Sequence, residues 1–207
     1  KTVELALNEA PGAKCIFVRA DVSSPGDNET VAKAAFDRYG SLDIACNNAG
    51  VGGESNLLAD MSVEGWKQVI DVNLSGVFFA MRSQIPLMLK SGGGSIVNMA
   101  SILGQVGTVG AAGYVAAKHG ILGLTRTAAI EYAAKGIRVN SVGPGYIDTP
   151  LLDTLSEKIR NDLISMHPIG RLGRPEEVAN LVMWLSSDQS SFVTGSYYPV
   201  DGGYLAV

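Results

Sequence analysis

Short apolar runs alternate with helix-length segments along most of this 207-residue chain, and that alternation restricts what it can fold into. The runs are residues 15–20, 42–46, 95–99, 138–142 and, more weakly, 196–200. Between them lie segments around 27–39, 62–89, 113–134 and 175–185, each long enough for a helix. Runs apolar throughout, rather than alternating, suit strands buried on both faces. Neighbouring parallel strands need a crossover of a dozen residues or more, which a helix supplies. The predicted fold is α/β: one domain over residues 1–207, built on a parallel sheet with helices on both faces. Residues 149–169 break the rhythm with prolines and leucine clusters. They are expected to form a helical cover over a site, lined by Leu151, Leu152, Leu155 and Met166. Residues 1–10 read as the back half of a helix, with no strand ahead of it.

Composition removes several functions. A net charge of −4 without a basic block argues against nucleic acid held through its phosphates. No run approaches the roughly 20 apolar residues that cross a bilayer, and the first residues do not form a signal peptide. The two histidines, His119 and His167, lack the spacing of a zinc site. Cys15 and Cys46 fall in or beside apolar runs with no CxxC pair, so buried, reduced thiols and a cytoplasmic setting are expected.

Open parallel sheets bind ligands beyond the carboxyl ends of their strands. In this chain those ends carry Asp21, the turn Asn47-Asn48-Ala49-Gly50, Ser101, and Pro144-Gly145 leading to Thr149. Tyr114 and Lys118, four residues apart at the start of a predicted helix, share one face about 6 Å apart. An ammonium there would lower the pKa of a phenol that ordinarily titrates near 10. Ser101 could hold a substrate oxygen while Tyr114 moves the proton; no hydrolase elbow surrounds it. Asn73 sits well inside a predicted helix, where asparagine is disfavoured, and could hold a relay water. Each feature alone has an ordinary explanation as a cap, a turn or helix decoration. Their coincidence at the strand ends points to acid/base chemistry at an alcohol or carbonyl.

In this combination the chain resembles the classical short-chain dehydrogenase/reductase family. The matching motifs are Asn47-Asn48-Ala49-Gly50, Asn73, Ser101, Tyr114 with Lys118, Pro144-Gly145 through Thr149, and Val200-Asp201-Gly202-Gly203, in family order over essentially the whole chain. The resemblance implies a Rossmann-like doubly wound sheet and a catalytic tetrad of Asn73, Ser101, Tyr114 and Lys118. It implies cofactor contacts from Asp21, Val22, Asn47, Ala49, Gly50, Tyr114, Lys118, Pro144, Gly145, Ile147 and Thr149. The cofactor is expected to be NAD, with NADP as the alternative, and the substrate a small uncharged secondary alcohol or ketone, cyclic ones included. A homotetramer is expected. Its helix faces would pack through Ala112, Ala116, Ala128, Ala129 and Ala133, with Phe78, Phe79 and Met81 as larger knobs. The family's glycine-rich phosphate-binding turn has no counterpart before Asp21, so the first strand–helix–strand unit is expected to be missing from this sequence. A binding or regulatory module on a dehydrogenase scaffold is the competing expectation.

Overall fold

Four parallel strands form one sheet among the described residues, in chain order: β1 (Ile44–Asn47), β2 (Gly94–Met99), β3 (Ile137–Pro144) and β4 (Tyr197–Val200). The computed structural model describes residues 2–152 and 156–207. The helices are α1 (Thr2–Glu9), α2 (Pro25–Tyr39), α3 (Val63–Ile70), α4 (Gly76–Lys90), α5 (Ala112–Tyr132), α6 (Glu157–Ser165) and α7 (Pro175–Ser186).

Strand side chains alternate between faces, and here both faces are apolar. Ile96, Ile137 and Val139 meet Met81, Ile85 and Met88 of α4 and Ile121, Ala128 and Ala129 of α5. Val97 and Val142 point the other way, onto Leu185 of α7. Fully burying each large side chain contributes about 1.5–3 kcal/mol, so the two layers account for the continuous apolar runs. Met81, Ala128 and Ala129 are thereby spent inside the chain's own core, which removes them from the expected subunit contact. Phe78 and Ala133 remain exposed.

Three expectations are corrected. Residues 15–20 form no strand, because no described strand lies beside them to complete a ladder. Cys15 is only half-buried and Cys46 is exposed; Cys46 lies on β1, at the edge of the described sheet, where no neighbour covers it. The predicted helix at 62–89 is three pieces: α3, a π-helical turn at Asp71–Ser75, and α4. Asn73 lies in that wider turn, which Gly76 closes by donating its backbone N–H to Asp71 O. Local π-turns of this kind recur at functional sites.

The ends of α2 are fixed by sequence. Ser24 caps it by accepting from the Asp27 amide at 3.3 Å, and Gly40 ends it at φ +85°, a conformation that costs glycine little. Inside α2, the buried Asn28 donates to Val22 O and Ser24 O, both at 2.8 Å. This fixes the backbone at residue 22, beside the carboxyl end of the sheet.

Candidate active site

Tyr114 and Lys118 lie on the first turns of α5, which packs against β3 and the turn after β2. Lys118 is 4% exposed, and its Nζ donates to Met99 O at 2.7 Å. Two turns further along α5, Thr125 accepts a 3.0 Å bond from Asn98 Nδ2, so helix and strand are tied at two points. Burial pushes the Lys118 ammonium down to about 8. It lies over the Tyr114 ring, 5.4 Å from the centroid, rather than against the phenol oxygen. The expected depression of Tyr114 by this charge is accordingly absent. Burial pushes the phenol above its ordinary 10, and the Ser101 side chain, hydrogen-bonding it, pulls the other way.

Ser101 follows β2 in extended backbone (φ −174°, ψ 162°), and its Oγ accepts from the Leu103 amide at 3.1 Å. That bond orients the hydroxyl at the start of a short 3-10 turn, Ile102–Gly104. Ser101, Tyr114 and Lys118 line one cavity of about 540 Å³. Pro144, Gly145, Ile147 and Thr149 line it from the end of β3, and Leu152 from the covering segment. Met166, the residue just after α6, is 46% exposed and does not line it. Leu155 and the side chain of Leu151 lie outside the described residues.

Asn73 is completely buried. Its Oδ1 accepts from the Val51 amide and its Nδ2 donates to the Val51 carbonyl, each at 2.8 Å. With both ends of the amide engaged, the side chain pins the loop at 51, a role sequence reasoning had not foreseen. Gly50 packs between this amide and Lys118: a Cβ there would lie 3.2 Å from Asn73 Oδ1 and 3.8 Å from Lys118 Nζ. Gly50 and Val51 also open onto a second cleft of about 630 Å³, lined by Asp21, Val22, Ala49 and Asp27. The two spaces thus meet at Gly50 and run along the carboxyl ends of the strands. Ala49 and Gly50, small residues where the two spaces meet, leave room for a ligand to pass close to the backbone. The Asp21 carboxylate accepts from the Ser23 amide and hydroxyl, which holds its pKa low.

Asn47 stands apart from both spaces. Its Nδ2 donates to Asn98 Oδ1 at 2.9 Å, and its Oδ1 accepts from Gln84 at 2.8 Å. It braces β1 against β2 and α4, presenting residues 48–50 by its backbone alone.

Sequence reasoning missed Tyr146, which lines the cavity that Ser101, Tyr114 and Lys118 share. Its amide donates to Nε2 of the buried His167 at 3.2 Å, and its ring meets His167 and Tyr204 edge-on. The aromatic directly after Pro144-Gly145 was the available signal. Also missed was the loop at 51–55, announced by Gly50, Gly52 and Gly53. Its Glu54 accepts from Ser62 N and Oγ and stays ionised below the ordinary carboxylate range.

A sequence model of the family described as enoyl-(acyl carrier protein) reductase matches residues 1–205. The chain is 52% identical to the cyclohexanol dehydrogenase of Acinetobacter sp. (strain SE19) over 197 residues, 95% of this chain and 77% of that protein. It is 44% identical to the cis-4-hydroxycyclohexanecarboxylate dehydrogenase of Sinomonas cyclohexanicum over 205 residues, 99% of this chain and 82% of the relative. The crystal structure of levodione reductase superposes with a TM-score of 0.96 at 36% identity, covering all of this chain and 83% of that one. With the sheet, the site and these likenesses in agreement, the chain belongs to the classical short-chain dehydrogenase/reductase family and is an NAD(P)-dependent oxidoreductase of that type.

Proposed function

We propose that the protein interconverts a small, uncharged cyclic secondary alcohol and its ketone, with Tyr114 as general acid/base. The observation that carries this reading is the convergence of Ser101, Tyr114 and Lys118 on one cavity. In oxidation, Tyr114 takes the hydroxyl proton while Ser101 holds the substrate oxygen. Lys118 holds positive charge beside the ring and steadies the bound ribose. Nicotinamide, when bound, supplies the carbon that accepts or returns the hydride. Pro144, Gly145, Ile147 and Thr149 would hold its amide-bearing ring, and Asp21, Val22, Ala49 and Gly50 the adenosine end. Asn73 serves through the Val51 loop that its amide holds, and the widened turn at Asp71–Ser75 is the proposed place for a relay water. Residues 149–169 act as the cover.

Cyclohexanol dehydrogenase and the hydroxycyclohexanecarboxylate enzyme both act on six-membered rings, which favours a ring in this cavity too. Glu54 stands at its wall as a fixed negative charge, and this favours a neutral ring over a carboxylate. The test is a panel assay of the native full chain with cyclohexanol and 4-hydroxycyclohexanecarboxylate, following reduction of NAD and NADP. The neutral alcohol should give the higher kcat/KM with at least one cofactor. Turnover of the carboxylate alone would overturn the substrate reading, and no turnover of either would overturn the reaction.

A homotetramer is the proposed assembly. Phe78, Trp66 and Ile130, 46%, 39% and 83% exposed on α4, α3 and α5, are the side chains that support it. Sedimentation equilibrium across a concentration series should return four chains per particle, and a persistent monomer would refute it. Cytoplasmic residence is proposed from the two free cysteines. No described helix is long and apolar enough to cross a membrane.

A further inference from the structure

Ser101 is held from two sides. Its hydroxyl accepts from Leu103, as described above, and its main-chain carbonyl accepts from the Gly104 amide at 2.9 Å. A third contact comes from far along the chain. Tyr197, the first residue of β4, donates its phenol to the same Ser101 carbonyl at 3.1 Å across 96 residues of sequence. The register explains how it reaches. Tyr197 pairs opposite Ser141 on β3, and its ring crosses over Gly143, where an added Cβ would collide with the phenol oxygen and ring. A side chain at 143 would close this path, so Gly143 and Tyr197 form a matched pair.

We propose that Tyr197 is a positioning residue for Ser101, setting where the serine hydroxyl stands relative to Tyr114. This rests on the reading above that Ser101 holds the substrate oxygen. The phenol is suited to the task because it stays a donor: burial and the neighbouring Asp201 push its pKa up to about 12. It touches neither the substrate space nor the cofactor cleft, so its effect must pass through the turn that carries Ser101.

Tyr197→Phe removes the hydroxyl and keeps the ring that packs on the core. Losing one positioning hydrogen bond should lower kcat about tenfold, with cofactor affinity nearly unchanged and the melting temperature down by only about 2–4 °C. A second readout separates positioning from general loosening. The Ser101 side chain holds the Tyr114 phenol down, so a displaced serine should move the rising limb of the alcohol-oxidation pH profile upward. In the Ser101→Ala background, Tyr197→Phe should have no further effect. An unchanged kcat would overturn the proposal, and so would an equal fall in both backgrounds or a fall with an unshifted limb. Wild-type activity of Ser101→Ala alone would instead remove the role assigned to Ser101, and the proposal with it. These outcomes stay separate from a failure of the substrate panel, because any turned-over alcohol can serve in the assay.

Discussion

Tyr114→Phe should reduce kcat for alcohol oxidation and ketone reduction by about a thousandfold, within the range that a positioned acid/base contributes. The substitution deletes one oxygen from a half-buried ring and keeps the apolar contacts at the start of α5, so folding and cofactor binding should survive. Calorimetric titration with NADH alongside steady-state rates checks both halves of this expectation. Retained binding with lost turnover assigns the proton transfer to the phenol. Near wild-type turnover would remove Tyr114 from the mechanism, and the reading built on the cavity it shares with Ser101 and Lys118 would fall with it.

Lys118 carries the second large effect, and it acts on stability and on activity in opposite senses. The unfolded lysine keeps its proton up to its ordinary 10.5, whereas the buried one releases it near 8. Between those values the unfolded chain binds more protons, so the stability of the protein rises with pH across that window. Below pH 8 the penalty is fully present, about 3 kcal/mol from the size of the shift. The stability of Lys118→Met should lack this rise between 8 and 10.5, while at pH 7 the relief of the penalty is offset in part by the Met99 carbonyl left without its donor. Tyr114, Tyr146 and Tyr197, whose phenols burial pushes up, lose stability as pH rises beyond 10. The difference between wild type and variant isolates the lysine at the lower end of the window. Urea unfolding at several pH values measures it, and identical profiles would show that the buried ammonium costs nothing. Activity should fall about a hundredfold in the same variant, because the side chain proposed to steady the bound ribose is gone.

What the sequence made legible was whatever depends on local pattern. The strands at 95–99 and 138–142 appear within a few residues of prediction because an apolar run flanked by glycine turns has few other uses in a parallel sheet. Tyr114 with Lys118 followed from helical spacing, and Ser101 from its place after a strand. Illegible features depend on contacts between distant segments. The strand expected at 15–20 needs a partner, and no local pattern reports whether one lies beside it. Asn73 looked like a misplaced helix residue because its partner, Val51, is 22 residues away. Asparagines in the turn after a strand are suited to pin neighbouring strands, and Asn47 does so, but that its partners are Asn98 and Gln84, 51 and 37 residues away, is written in no local pattern. The ammonium over the Tyr114 ring illustrates the same limit. Spacing put the two groups on one face, but Met99 O decided where the charge went.

The two ties between α5 and β2, Lys118 to Met99 and Asn98 to Thr125, have a mechanical consequence. The tied residues of α5 are seven apart, two helical turns along one face, so the pair blocks both rotation of the helix and its sliding over the sheet. Ser101 hangs from the end of the same strand. A thermal twist of the sheet should therefore carry Tyr114, Lys118 and Ser101 together, as a single rigid jig. On the proposed chemistry, motion of the cleft walls would then leave the alignment of these three side chains undisturbed.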